Sequence, residues 1–262
     1  MDNPEWFKDI HFWERYGPIM FDRKRWDEVP RVADGVTRIA HLDQYGQTNA
    51  DKTGPKVLDL CCGFGRIALE LARREFSVTG VDITETYLKT GADDAAYEKL
   101  DVEFIMQDVR AFKRPGFFDL ALNLYISFGY FADPKDDLLL ARNAYDALKP
   151  GGSFIIETLG KEIAVRDFVE AEWFERAGYT VLTEYAPVDS WSGLRNRWIL
   201  IKDSNQGSPE RIEKAFVQRL YSAAELRRLL FDAGFSAVEL YGNWDEAPYD
   251  QHAEMLIAVG RK

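Results

Sequence analysis

Hydrophobic positions follow two rhythms along this chain. Short, nearly continuous apolar runs recur at 56–60, 76–81, 102–106, 118–124 and 153–157, as expected of strands buried on both faces of a parallel sheet. Helix-period patterns separate them at 66–74, 83–99 and 136–148, with Thr84 expected as the N-cap of the second. Strand and helix in alternation predict an α/β architecture. Near the end of the chain the rhythm changes. Ser222, with Glu225 as its capping-box partner, opens a helix that runs to Ala233 and stops at Gly234. Two further strands, 235–241 and 253–259, are then expected to form an antiparallel hairpin, joined by a loop carrying Tyr249 and His252.

The flanks are less regular. Residues 4–17 hold Trp6, Phe7, Ile10, Phe12, Trp13 and Tyr16, which predicts one or two short amphipathic helices. An extended link at 18–21 and a helix at 29–42 follow, and Tyr16 and Phe21 are candidate lid residues over a crevice. Polar loops are expected at 44–55 and 203–209, and a Lys-Pro-Gly-Gly turn at 149–152. Residues 159–218 exceed what a single sheet requires. They predict a helix at 168–176 and a hairpin of 179–188 with 193–202, together an insert that covers the crevice and holds substrate. Alternation places Arg195, Arg197 and Ile199 on one face and Trp198 on the other. The two arginines meet either solvent or a substrate carboxylate.

Four segments result: 1–55, a helical lid with the first helices; 56–158, a cofactor-binding core; 159–218, the insert; and 219–262, the completion of the core.

Chemistry concentrates where the first strand ends. Asp59-Leu60-Cys61-Cys62-Gly63-Phe64-Gly65 leads into a helix, and the second strand ends on Asp82. Glycine allows a backbone to approach a ligand closely, and a helix N-terminus offers unpaired N–H groups. An acid at the tip of the second strand suits the two hydroxyls of a ribose. Three ordered glycines would mark a dinucleotide site, yet here the first such position does not match. Asp59, inside the strand end, would oppose a pyrophosphate but pair with a cationic amino group. S-adenosylmethionine, which has no phosphate and carries a sulfonium and an ammonium, fits better. Asp108, past the third strand, is placed to accept from an adenine amino group. Asn123 and Tyr125, at the end of the fourth, are placed where the methionine moiety meets substrate.

The stretch 56–82 resembles motif I and its sequel in the class I, Rossmann-like S-adenosylmethionine-dependent methyltransferases, where the turn commonly reads D-x-G-x-G-x-G. Cys61 stands at the first of those glycines. The Leu-Lys-Pro-Gly-Gly string at 148–152 also resembles the family, and the Asn123-Leu124 to Ser127-Phe128-Gly129-Tyr130-Phe131 stretch, together with Leu58 to Gly63, resembles a subgroup of bacterial small-molecule methyltransferases. The resemblance implies a seven-stranded, mostly parallel sheet closed by a C-terminal antiparallel hairpin, helices on both faces, and an inserted hairpin and helix. It also implies an adenine contact at Asp108 with Val109 supplying a backbone N–H, and a monomer or homodimer. The cofactor set is then Tyr16, Asp59, Cys61, Gly63, Gly65, Arg66, Asp82, Ile83, Asp108, Val109 and Asn123. Tyr16, Tyr125 and His252 are the candidates for placing the acceptor or removing its proton. The expected reaction is in-line methyl transfer to a nitrogen or oxygen of a small molecule. An NAD-dependent oxidoreductase and a non-catalytic nucleoside-binding protein of the same fold stand as alternatives.

Composition narrows the partners. The 262 residues carry a net charge of −11, with basic residues dispersed among acids, which argues against a nucleic-acid partner. The two cysteines are adjacent, and the three histidines lie far apart without ligand spacing, so neither a disulfide framework nor a metal site is expected. No leader pattern or membrane-length apolar run is apparent, and a cytoplasmic location is expected.

Overall fold

The computed structural model describes residues 5–42, 54–202 and 209–262; the loops expected at 44–55 and 203–209 fall almost wholly outside the described residues. Strands β1 (Lys56–Leu60), β2 (Ser77–Asp82), β3 (Val102–Met106), β4 (Phe118–Asn123) and β5 (Leu148–Thr158) lie parallel. A second sheet comprises β6 (Ala171–Arg176), β7 (Tyr179–Val188), β8 (Gly193–Lys202) and β9 (Glu210–Arg219), all antiparallel and in that order. Strands β10 (Ala237–Tyr241) and β11 (Leu256–Arg261) return to the first sheet, where β11 runs antiparallel to both of its neighbours. The full order there is β10-β11-β5-β4-β1-β2-β3, a seven-stranded, mostly parallel sheet of Rossmann-like form.

Alternation along each strand builds two cores. Val57, Leu120 and Ile155 turn to one face, where they meet apolar side chains of α3 (Val29–Ile39) and α4 (Arg66–Arg73). Leu58, Ala121 and Ile156 turn to the other, against α6 (Pro134–Ala147) and α8 (Ala223–Ala233). The remaining helices are α1 (Ile10–Met20), α2 (Arg23–Asp27), α5 (Glu85–Glu98) and α7 (Lys161–Arg166). The capping box at Ser222 and the left-handed stop at Gly234 are both present. Strand order reverses between β1 and β4, and in open α/β sheets ligands bind beyond the carboxyl ends of the strands at such a point.

Four expectations are corrected. Residues 171–176 form strand β6, not part of a helix: β7 supplies a full ladder of partners, and tertiary pairing overrides a segment with no period-2 apolar signal. The link at 18–21 is mostly helical, because α1 continues through Pro18 to Met20. The 149–152 turn is absorbed into β5, whose Gly151 (φ 81°) donates its N–H to the Lys262 carbonyl. Thr84 does hold the N-cap position of α5, but its side chain makes no capping bond.

Candidate active site

The turn after β1 is fastened to β2 through its backbone. The N–H groups of Cys61 and Cys62 both donate to the Val81 carbonyl, at 2.8 and 3.2 Å. Positions 61, 63 and 65 all take left-handed dihedrals, with φ of 62°, 56° and 72°. Glycine does so freely, whereas Cys61 bears a cost of roughly 1 kcal/mol, which explains why a glycine is common there. Asp82 then locks the other side of the turn. Its two carboxylate oxygens accept from Gly63 N (2.9 Å) and Thr84 N (2.8 Å).

A cavity of about 640 Å³ opens beyond these strand ends. Asp59, Cys61, Gly63, Arg66, Asp82, Ile83, Asp108, Val109 and Tyr125 all line it. Its roof is one face of the four-stranded sheet, which the register assembles from Phe174, Tyr185, Asn196, Trp198, Phe216 and Gln218. Residues from α1 and the turn before it close the side, with Trp6, Trp13 and Phe21 on the wall.

The electrostatics of the wall are uneven. Asp59 is buried and accepts no hydrogen bond among the described residues. Burial, and then the charge of Asp82, pushes it up to about 7, while Arg66 pulls the other way. Burial also raises Asp82, against the pull of its backbone donors. Asp108 is held below the ordinary range by Arg110, which chelates it at 2.6 to 3.1 Å and also reaches Asp136 and Glu5. The Arg66 guanidinium has its pKa lowered by burial; it lies 4.3 Å from the Tyr125 ring and 5.0 Å from Phe21, and no carboxylate among the described residues bridges it. Burial raises both cysteine thiols, so they are not poised as thiolates.

Several residues singled out in the sequence lie elsewhere. Tyr16 is wholly buried off the cavity wall and donates its hydroxyl to the Trp198 carbonyl at 3.0 Å, joining α1 to β8. Gly65 is a packing residue: a Cβ there would lie 2.6 Å from the Phe104 ring. Asn123 is buried behind the wall, its amide donating to the Leu60 carbonyl at 3.0 Å and stitching β4 to β1. His252 is exposed in the β10–β11 loop and does not reach the cavity; that loop packs Trp244 on Gly35 and pairs Asp245 with Arg31. Arg195 is exposed, and Arg197 is clasped by Glu184 and Glu213 on the outer face of the second sheet. Arg25 and Glu157 are among the wall residues that escaped sequence reasoning. For Glu157 a signal existed: like Asp59, it is an acid at the carboxyl end of an apolar strand.

Comparison with known proteins agrees with the geometry. Residues 57–152 match the family described as a methyltransferase domain. A putative methyltransferase of Geobacillus sp. is 24% identical over 225 residues, covering 84% of this chain and 88% of that protein. A ubiquinone biosynthesis O-methyltransferase of Caulobacter vibrioides is 32% identical over 127 residues, 48% of this chain and 49% of the relative. Among solved structures, an S-adenosylmethionine-dependent methyltransferase of Clostridium acetobutylicum superposes with a TM-score of 0.77 at 15% identity, covering 95% and 98% of the two chains. The CcbJ methyltransferase of Streptomyces caelestis gives 0.71 at 19%, covering 88% and 89%. At these identities the solved structures speak to the fold, and the family match speaks to the cofactor half. Residues 57–152 match a methyltransferase domain, and the chain as a whole has the class I, Rossmann-like fold of the S-adenosylmethionine-dependent methyltransferases.

Proposed function

We propose that the cavity holds S-adenosylmethionine across the ends of β1 to β4 and presents its methyl group to a nitrogen or oxygen of a small molecule beneath the four-stranded sheet. The observation that carries this reading is Asp59, a buried carboxylate on the wall that has no hydrogen-bond donor among the described residues. Such a group is costly unless a cation completes it, and the cofactor's ammonium is that cation. Asp82, already aimed by two backbone donors, takes the ribose hydroxyls. Ile83 and Val109 flank the adenine, with Asp108 at its edge. Arg66 offers the cofactor's carboxylate a guanidinium that no protein carboxylate bridges. Cys61 and Gly63 floor the methionine part. When bound, the cofactor supplies the electrophilic methyl; the chain supplies position, exclusion of water and, where needed, a proton acceptor. The O-methyltransferase relatives agree with an oxygen acceptor.

Calorimetry tests the reading. S-adenosylmethionine and its demethylated product should bind and NAD should not, which removes the oxidoreductase alternative. Asp82→Ala should weaken binding about tenfold to a hundredfold, the worth of one or two charge-assisted hydrogen bonds. Equal affinity in the variant would refute the placement.

A further inference from the structure

One buried acid on the cavity wall is left unused by the cofactor reading. Glu157 stands at the carboxyl end of β5, 8% exposed. Strand β4 lies between β5 and β1, and the register places Glu157 two strand spacings across and two residues along from Asp59, about 12 Å away. One of its oxygens, Oε2, accepts from the Tyr125 backbone N–H. Its other oxygen accepts no hydrogen bond among the described residues.

The charges around it leave it without a committed cation. Arg25, from α2, is bridged by Glu28 at 3.0 Å. Arg66, from α4, is stacked over Tyr125 and donates to the Arg25 carbonyl. Both guanidiniums pull the Glu157 pKa down and Glu28 pushes it up, but burial dominates and the net direction is upward. Arg176, the remaining arginine of the roof, is bridged to Asp22 at 3.3 Å. Facing these groups, the roof and side wall offer aromatic surface, including Trp13, Tyr130, Trp198 and Phe216. A partner-poor carboxylate within an aromatic enclosure is the chemistry that recognises an organic ammonium.

We propose that Glu157 receives the methyl acceptor, and that the acceptor is a primary or secondary amine that enters as an ammonium and surrenders a proton to this carboxylate. This rests on the methyl-transfer reading above. An ammonium has no lone pair, so the proton must leave before transfer. Glu157 takes it, the freed nitrogen pair forms the bond to the methyl carbon, and the carbon–sulfur bond breaks with its electrons remaining on sulfur. The products are the methylated ammonium, the neutral thioether and a proton on Glu157, which passes to solvent. Burial raises the affinity of Glu157 for protons, which makes it a better acceptor than an exposed carboxylate.

A purely structural role is the competing account, because Tyr125 and Ile126 both hold left-handed dihedrals (φ 56° and 63°) and both donate to Glu157, to its side chain and its carbonyl respectively. Glu157→Gln separates the two, since an amide oxygen still accepts from Tyr125 N while the charge and the basicity are gone. Calorimetry on protein saturated with the demethylated product would use phenethylamine and its isostere 2-phenylethanol as probes. The amine is expected to bind wild type more tightly than the alcohol does. Glu157→Gln should weaken the amine about tenfold to a hundredfold, leave the alcohol unchanged and keep the affinity for the demethylated product. Amine affinity in wild type should also fall as pH drops and Glu157 protonates. Unchanged amine affinity in Glu157→Gln, preference for the alcohol, or no amine binding by wild type that holds the demethylated product would overturn the proposal while leaving methyl transfer standing. Failure of wild type to bind the demethylated product at all would overturn both.

Discussion

The two sheets of this protein handle charge in opposite ways. At the rim of the seven-stranded sheet, Asp59 and Glu157 are buried and short of partners, and Asp82 is held by backbone N–H groups and the Thr84 side chain, with no cation paired to it among the described residues. On the outer face of the four-stranded sheet, Arg197, Glu184, Glu213 and Arg211 neutralise one another in the open. The inner face of that same sheet is mainly aromatic and amide-bearing, with Glu172 and Arg176 at its β6 edge. Unmet charge inside a fold is expensive, so its confinement to one cavity rim marks the place where ligands complete the structure. The two regions are joined by a third kind of charge, one that is buried and paired through a single oxygen, Oδ2, while its Oδ1 has no partner among the described residues. Asp137 on α6 accepts from Arg219 at the end of β9 (3.0 Å) and from Tyr221 (2.7 Å), while Arg219 also donates to the carbonyls of Phe131 and Ala132.

The sharpest way to break the comparison is therefore to cut that join. Asp137→Ala removes the carboxylate partner of Arg219, which keeps its carbonyl acceptors, and leaves the Tyr221 hydroxyl unpaired; it should cost about 2–3 kcal/mol of stability, read from urea midpoints. An Asp137→Ala protein as stable as wild type would mean that the join contributes nothing. Asp59→Asn probes the unmet charge instead. The fold holds this acid near 7, above its ordinary value of about 3.9. It therefore favours the protonated form, and stability is lost as pH climbs from about 4 through about 7. The variant does not suffer that loss. At pH 8 the ligand-free Asn protein should be more stable than wild type, by an amount on the order of a few kcal/mol, whereas near pH 4 the two should converge. The same variant should bind S-adenosylmethionine more weakly. A gain in stability with a loss of affinity is the pattern expected of a residue kept for its ligand; equal melting temperatures at pH 8 would remove Asp59 from that class.

The contrast also explains how far the sequence could be read. Strands β1, β2, β4 and β5 were legible because burial on both faces leaves continuous apolar runs, β3 from its short apolar stretch although it is a half-exposed edge strand, and the turn at 61–65 because left-handed dihedrals demand small residues in order. Asp59, Asp82 and Asp108 followed from their positions at strand ends. Tyr16 was misjudged because nothing in a helical stripe says which aromatic turns toward a cavity and which toward a neighbouring strand; here Tyr16 reaches the Trp198 carbonyl. Strand β6 was missed because Glu172, Phe174 and Arg176 face the cavity while Trp173, on the other side, is 69% exposed, so no apolar alternation exists to detect. The roof was illegible for a further reason. Its wall residues lie on four strands, and only the register of those strands brings them together.

Register also supplies the smallest and cleanest contrast, between adjacent residues of β8. Trp198 faces the cavity and Arg197 faces away, since neighbours in a strand point to opposite sides. The Arg197 bridges to Glu184 and Glu213 are short, at 2.8 and 2.6 Å, but all three side chains are at least a third exposed. Ion pairs in that setting are screened and contribute little. Arg197→Ala should leave cofactor affinity unchanged and move the melting temperature less than either other variant above, with the small shift vanishing in high salt. A loss of cofactor or acceptor affinity in this variant would show that the outer face of the second sheet communicates with the cavity, and the division of the sheet into a solvated side and a ligand side would fail.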